Sequence, residues 1–401
     1  MKKIIFLLIL LLMTLNLSSQ QEQFEVTVIN VAIPIRVFDG NKFIDNLTIQ
    51  DFEVYEDGKP QKIQAIYLTK KNQIERSEGT RDFMPLLSRN FFLLFQLSDY
   101  NPKLGEAIDY LFTSVLLPGD ILEIMTPVKN YTLSAQALKS KPKETLAKEL
   151  QGLVRKDTKV GASEYRNLMS DLKRLVRGIS GSVGITSLET DSTTQSFGLE
   201  FLLPRYRDTL GKMEGLRIVD EKKFLRFAAQ LKRREGQKNV FFFYQREFRP
   251  EIEPKIMNQL MAMYQDQPNI LGDLMDLMQF YSRDPKWNIN NIKQAFADSS
   301  IFFNFIYMHK EPENVSGIRM TEQSEDIFET FSQVAEATGG IIDSSQNPAT
   351  SFKNCTKISE SYYILYYSPE KYIKDGKYKS IEVKVKNKDY KITHRQGYFA
   401  R

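Results

Sequence analysis

Apolar and polar residues alternate at both ends of the chain, which predicts β-strands there. Near the start, period-two runs at 24–29, 32–38, 51–56 and 62–68 are separated by the turn-forming pairs Asp39-Gly40 and Asp57-Gly58. Near the end, 362–367, 379–386 and 390–399 have the same texture. Neither set is large enough to bury a core comfortably alone. We therefore expect both ends to combine into one small β-sandwich, with separate small domains as the alternative.

The middle of the chain has the texture of an α/β domain. Continuous apolar runs at 91–97, 120–127, 239–244 and 300–308 alternate with stretches of helical periodicity. Strands that are apolar on both faces are typical of a parallel sheet covered by helices. Methionines recur near helical spacing between 250 and 297, which favours core packing over the alternative of a Met-rich binding groove.

These patterns give a domain plan and a fold class. We expect a signal peptide at 1–19, an N-terminal β segment at 20–70 and a linker at 71–88. An α/β domain with helical insertions follows at 89–345, and a C-terminal β segment at 346–401 pairs with the N-terminal one. The predicted fold class is α/β, with a Rossmann-like, mostly parallel sheet inserted in a small β-sandwich built from the N- and C-terminal strands.

The first residues predict export. A basic start at Lys2-Lys3, an apolar run over 4–13 and the small pair Ser18-Ser19 are typical of a Sec-type secretory signal peptide. The apolar run is short for a membrane span, so we expect no transmembrane span after cleavage and a secreted or periplasmic protein. An uncleaved N-terminal anchor is the alternative.

Composition narrows the functional classes. The formal net charge is +5 without a dense basic block, which argues against nucleic-acid binding. Cys355 is the single cysteine, so no intramolecular disulfide can form. We expect it to be a small buried hydrophobe, with a reactive thiol as the alternative.

Catalytic signatures are scarce. His309 and His394 are the two histidines and lie in or at the end of predicted strands, where structural roles are expected. The sequence has no nucleophile elbow, zinc-binding helix or phosphate-cradling glycine loop. We predict a protein that is not an enzyme. A carboxylate-based hydrolase stays open as an alternative, because two carboxyl groups suffice for some hydrolyses.

Several motifs resemble one known family. They are the segment 47–63, Leu117-Pro118-Gly119-Asp120, Ala337-Thr338-Gly339-Gly340, and the segments 362–369, 375–379 and 395–398. In this order they resemble the bacterial family of secreted VWFA-related proteins, in which a von Willebrand factor A-like domain lies between β segments. The resemblance implies a von Willebrand factor A-type fold and a protein-binding role, often through a metal ion at the top of the sheet.

The resemblance also implies where that metal would bind. The family's metal loop reads Asp-x-Ser-x-Ser, and here Gln96, Ser98 and Tyr100 stand at the three positions. A later carboxylate is expected where Gln245-Arg246-Glu247 stands. Hard cations prefer several charged oxygen ligands, so the site is expected to be degenerate, with no metal and no cofactor. The alternative is Mg²⁺ or Ca²⁺ at a site rearranged around Asp99, Ser98 and Glu247.

These observations predict a non-enzymatic, extracytoplasmic protein-interaction module. Its expected ligand-contact loops contain the six degenerate metal-site positions Gln96, Ser98, Asp99, Tyr100, Gln245 and Glu247. The expected partner is an unidentified envelope or extracellular protein, and no nucleic acid is expected. The alternatives are a metal-dependent adhesion protein and a hydrolase.

Overall fold

A computed structural model describes residues 29–80, 83–184, 192–217, 220–282 and 289–401. The predicted signal peptide at 1–19 lies outside the described residues, as does nearly all of the predicted strand at 24–29. Of the described helices, none is long and apolar enough to cross a membrane.

The strands follow the alternating and continuous apolar runs of the sequence. In chain order they are β1 (Val31–Asp39), β2 (Lys42–Phe43), β3 (Phe52–Glu56), β4 (Lys59–Gln61), β5 (Ile63–Lys70), β6 (Gln73–Gly79), β7 (Arg89–Gln96), β8 (Ile121–Met125), β9 (Asn130–Leu133), β10 (Gln237–Gln245), β11 (Phe248–Ile252), β12 (Ile301–Met308), β13 (Ile318–Glu322), β14 (Ile342–Ser345), β15 (Ser361–Tyr367), β16 (Tyr378–Val385), β17 (Lys391–His394) and β18 (Gly397–Phe399).

Helices occupy much of the described chain between β7 and β15. They are α1 (Lys103–Tyr110), which continues as a π-helical turn over Leu111–Val115, α2 (Ala135–Ser140), α3 (Lys143–Gly161), α4 (Ser163–Gly184), α5 (Ser192–Leu216), α6 (Glu221–Lys232), α7 (Pro254–Met263), α8 (Pro268–Tyr281), α9 (Asn290–Asp298), α10 (Glu325–Thr338) and α11 (Pro348–Ser359). A 3₁₀ turn over Ile49–Asp51 precedes β3.

Strands from both ends of the chain share two antiparallel sheets. One has the order β17-β1-β15-β5-β6, with β2 added to β1, and the other has the order β18-β16-β3-β4. Inward side chains such as Ile33, Val54 and Val383 form one core between the two sheets. Neither end could close this core alone, because each sheet takes strands from both.

The predicted linker at 71–88 contains a strand. β6 pairs antiparallel with β5 along most of its length. Its residues are largely exposed and three of the seven are charged, which is usual for an edge strand that must not pair with other chains. Because most of its residues are polar, the apolar pattern of the sequence did not predict this strand.

The central sheet is mixed, with the order β14-β12-β10-β7-β8-β9. Parallel pairing joins its neighbours from β14 to β8, and β9 returns antiparallel along β8 after a short polar turn. Helices α1, α3 and α11 cover one face, and α6, α9 and α10 cover the other. Burial on both faces explains the long apolar stretches within β7, β10 and β12.

The predicted fold class, a Rossmann-like and mostly parallel sheet of von Willebrand factor A type, is wrong for this chain. The described strands form four sheets, of which the pair β11-β13 and both terminal sheets are antiparallel and the central one is mixed. The chain is mixed α/β. In the middle of the chain the prediction counted only long apolar runs, and it therefore missed the antiparallel strands β9, β11 and β13, which are only four or five residues long.

A helical layer packs beside the β11-β13 ribbon. Helices α4, α5, α7 and α8 share an apolar core with Ile252 and Ile318 of the ribbon. Met257 is buried in this core, whereas Met275 and Met278 are 56% and 44% exposed. The methionine pattern is therefore only partly core.

A glycine pair joins the terminal sheets to the central sheet. Gly339 ends α10 in the left-handed conformation, with φ +70°, and its carbonyl accepts a 3.1 Å bond from the buried Arg36. A Cβ on Gly340 would lie 1.9 Å from the carbonyl oxygen of Phe303 in β12. Only glycine allows this approach.

Candidate functional site

The candidate residues gather where the parallel strands of the central sheet end. β7 and β10 are neighbours in register, with Gln96 opposite Tyr244. Below this edge, the rings of Phe95 and Phe243 stack with centroids 4.9 Å apart. The carboxyl end of a parallel sheet is the usual place for a ligand in α/β folds, so the polar side chains here form the candidate site.

Gln245 closes the loop that follows β7. Its Oε1 accepts hydrogen bonds from the Ser98 hydroxyl at 2.9 Å and from the backbone N–H of Asp99 at 2.8 Å. Ser98 and Gln245 are both buried. A buried carboxamide therefore holds the loop that would carry a metal in the resembling family.

Asp99 forms an ion pair that the sequence did not reveal. Its carboxylate accepts from the ammonium group of Lys310, which follows β12 at the same edge. Arg166, from α4, donates to the Ser98 carbonyl at 3.4 Å. Asp99, Arg166 and Lys310 line a pocket of about 260 Å³. In the sequence, Lys310 lies two residues after the predicted strand at 300–308. Only the strand order of the central sheet shows that it lies near Asp99.

Tyr100 does not join the polar cluster. It is half-buried against the apolar core beneath α1. This burial raises the pKa of its hydroxyl, with smaller effects from Arg155 and Asp109. Tyr100 therefore anchors the loop through packing.

Arg246 points to a second network. Its guanidinium pairs with Glu322 of β13, and Glu322 also accepts from the Tyr307 hydroxyl at 2.6 Å. Ser324 lies 2.8 Å from the same hydroxyl and also accepts from the backbone N–H of Glu247 at 3.1 Å. Burial raises the pKa of Glu322, but hydrogen bonds from Arg246 and Tyr307 outweigh it and the pKa is lowered.

Glu247 has a different environment from the other candidates. It is 7% exposed, and its Oε2 has no hydrogen-bond partner. Arg217 Nε, which also has no hydrogen-bond partner, forms an ion pair with this oxygen at 3.9 Å, while another guanidinium nitrogen of Arg217 donates to Asp326. Burial raises the pKa of Glu247 to about 7, opposed by the charge of Arg217 and by a hydrogen bond from Tyr244. Carboxyls perturbed in this way are common at functional sites.

Glu247 and Gln96 line the same cleft. The cleft has a volume of about 340 Å³ and lies between the start of α6 and the middle of α10. Phe224, Phe242 and Phe331 form much of its apolar wall, with the Phe242 and Phe331 rings 4.7 Å apart. The structure therefore separates the predicted residues into a closed loop around Gln245 and an open cleft beside Glu247.

The residues at this edge do not fit a hard cation. Asp99 is neutralised by Lys310, and Gln245 Oε1 already accepts two hydrogen bonds. Arg166 and Arg246 add positive charge around the position where ligands would be needed. Across the described ranges, no group of three or more His, Cys, Asp or Glu side chains could hold a metal ion.

Comparisons with known proteins add little to this geometry. No family model matches the chain, and no curated protein matches it. A solved structure to which it is similar is the human COPII-coat protein Sec24c, with 7% identity and a TM-score of 0.30. The match covers 80% of this chain and 44% of the Sec24c chain. A TM-score this low does not establish a shared fold.

Proposed function

We propose that the chain is a non-enzymatic, extracytoplasmic protein-interaction module with a degenerate metal-ion-dependent adhesion site. Its partner is a protein of the cell envelope or the extracellular space, bound at the carboxyl edge of the central sheet. The motifs that resemble secreted VWFA-related proteins support this role, and the basic and apolar start of the sequence supports export.

One observation carries the proposal. The loop positions that would bind a cation instead satisfy one another, because Gln245 accepts from Ser98 and from the Asp99 N–H while Asp99 pairs with Lys310. A loop held in this way is preorganised without metal, and preorganisation lowers the entropic cost of binding a protein.

Metal titration is the first test. We expect calorimetry of the mature chain with magnesium, manganese and calcium to give no micromolar binding. Micromolar binding that Asp99→Ala abolishes would instead support the metal-dependent adhesion alternative. A screen against generic esterase, phosphatase and glycosidase substrates tests the hydrolase alternative, and turnover lost in Glu247→Gln would contradict a non-enzymatic role.

Partner capture is the second test. The mature chain is used as bait on envelope extracts, with Asp99→Lys as the test variant and Asp389→Lys as the matched control. Asp389 is exposed in the turn between β16 and β17, far along the chain from the candidate loop. We expect a specific partner to be retained by the control and lost by Asp99→Lys. Equal capture by both variants would place the contact elsewhere.

A further inference from the structure

A cavity of about 390 Å³ lies between the terminal sheets and the central sheet. All four residues of β17 line it, as do Ile341 and Ile342 at the start of β14. Among the described strands, β17 and β14 are each the outermost strand of a sheet. Two sheet edges therefore face one cavity. None of its lining residues lines either cavity of the candidate site.

One residue of β17 directs its backbone away from β1, to the outer edge of the sheet. β1 pairs with both β2 and β17 at Phe38, so these two strands lie on opposite sides of β1. The Val37 carbonyl accepts at 2.9 Å from Ile44, which directly follows β2. Successive residues of an antiparallel strand bond to opposite sides, so the neighbours of Val37 bond to β17 and Val37 does not. Ile392, which lies opposite Val37, therefore points its N–H and C=O outward.

The outward edge of β17 is short. By the same alternation His394 also points outward, but Gly339 covers it, because a Cβ on Gly339 would lie 2.8 Å from the His394 backbone. β17 begins at Lys391, so Ile392 is left with one donor and one acceptor for an added strand. Addition of a strand to an exposed sheet edge is a common way to bind an extended peptide.

The cavity wall beside this edge is apolar. It is formed largely by Phe38, Ile341, Ile342 and Ile358. The three isoleucines are half-buried, so part of their surface is open to an occupant. Phe38 lies opposite Lys391, which places both side chains on the cavity face of the sheet. In a strand added opposite Ile392, the two side chains that flank the paired residue would lie on this same face.

The charges at the cavity favour an uncharged occupant. Glu336 and Lys391 are exposed at its rim, and neither forms an ion pair with a described residue. They carry one charge of each sign, so a charged side chain would be attracted by one and repelled by the other. Apolar side chains match the isoleucine wall without this conflict.

We propose that an extended segment of a partner protein adds to the β17 edge as a short strand. Its central residue exchanges hydrogen bonds with Ile392, and the residues on either side of it place apolar side chains in the cavity. The recognised sequence is therefore apolar-any-apolar in an extended conformation. This contact goes beyond the proposed function, because it is separate from the candidate loop.

Short peptides test this contact directly. The probe is acetyl-Thr-Val-Thr-Val-Thr-amide, in which two valines flank the central threonine. One control carries an N-methyl group on the central threonine, which removes the N–H that would donate to Ile392. A second control has glycine in place of both valines. We expect NMR titration of the mature chain to show that the probe binds at least tenfold more tightly than either control.

Amide exchange locates the contact. In the free chain, the Ile392 N–H should exchange at least tenfold faster than the Thr393 N–H, because Thr393 bonds to Arg36 of β1. The probe should slow exchange of Ile392 at least tenfold and leave Thr393 unchanged. Equal protection of the two amides in the free chain would show that this edge is not open, which overturns the inference.

Two variants of one residue complete the test. Ile392→Pro removes the outward N–H, and proline is tolerated on an edge strand where its nitrogen faces outward. Ile392→Ala is the matched control, because it keeps the N–H and its side chain lies on the face that packs against the terminal core. We expect Ile392→Pro to weaken probe binding at least tenfold and Ile392→Ala to stay within threefold of the wild type.

Three results would contradict this recognition. Unchanged binding to folded Ile392→Pro would exclude the β17 edge as the contact. Equal binding of the probe and its N-methyl control would exclude strand pairing, and this comparison holds even if Ile392→Pro does not fold. Probe binding only to a chain that lacks residues 20–28 would show that the chain's own N-terminal segment takes the edge in place of a partner.

Discussion

The buried carboxyl of Glu247 makes the stability of the protein depend on pH. Its pKa is raised from 4.5 to about 7 in the folded chain, chiefly by burial. Because the folded pKa is the higher one, the stabilising contribution is complete below pH 4.5 and is lost as the pH rises through 7. One pKa unit corresponds to about 1.4 kcal/mol, so the whole titration is worth about 3 kcal/mol. About 2–3 kcal/mol of that loss falls between pH 5 and 8.

Glu247→Gln removes this titration but keeps the size of the side chain. We expect the variant to be more stable than the wild type at pH 8, while the difference shrinks or reverses at pH 5. Urea unfolding at pH 5, 6, 7 and 8, followed by far-UV circular dichroism, gives the difference at each pH. Other groups titrate equally in both proteins, so they cancel in the comparison.

Glu251→Gln serves as the control in the same series. Glu251 is also buried, but it accepts a 2.6 Å hydrogen bond from Arg249 and a 2.8 Å hydrogen bond from Thr321. Its removal should destabilise the protein without the opposite trend toward high pH. Parallel stability profiles for the wild type and Glu247→Gln would refute the reasoning, because they would show that Glu247 titrates alike in the folded and unfolded chains.

Three further changes test the packing around the candidate edge. Gly340→Ala should lower the free energy of unfolding by about 3 kcal/mol or more, because its Cβ would lie 1.9 Å from the Phe303 carbonyl oxygen. Gly152→Ala, with nothing within 4 Å of its Cβ, should be neutral or stabilising in the same denaturation assay. Asp120→Ala should cost about 3–5 kcal/mol, because it leaves a buried arginine without its carboxylate. Cys355, whose thiol is fully buried and has a raised pKa, should react with a thiol reagent only after denaturation, and fast labelling of the native chain would contradict this.

Three strands of the central sheet could be predicted from the sequence, because burial of both faces gives them long apolar runs. The predicted runs at 91–97, 239–244 and 300–308 overlap β7, β10 and β12, in which almost every residue is buried. The ribbon formed by β11 and β13 could not be predicted from apolar runs. Its strands contain Arg249, Glu251 and Arg319. Arg249 and Glu251 form an ion pair within β11, and Glu251 also accepts from Thr321 of β13. These charged residues interrupt the apolar runs, so the apolar pattern did not predict the two strands.

The candidate site was only partly predictable for the same reason. Gln96, Ser98 and Gln245 could be placed at one edge because each follows or ends a predicted strand. The ion pair between Asp99 and Lys310 joins residues separated by 211 positions, and the sequence does not specify that approach. Glu247 was placed at the same edge by its position after a predicted strand, but its burial was not predicted, because it results from α5, α6 and α10 converging above β10.

The charge balance at this edge explains why a single substitution would not create a metal site. Replacing Gln245 with glutamate would add one carboxylate, but the Ser98 hydroxyl and the Asp99 N–H would continue to hold it in the loop. Asp99 would still be bound to Lys310, and Arg166 would still lie against the Ser98 carbonyl. A hard cation needs several oxygen ligands that are free of competing cations. The loop and its basic neighbours therefore act as one unit.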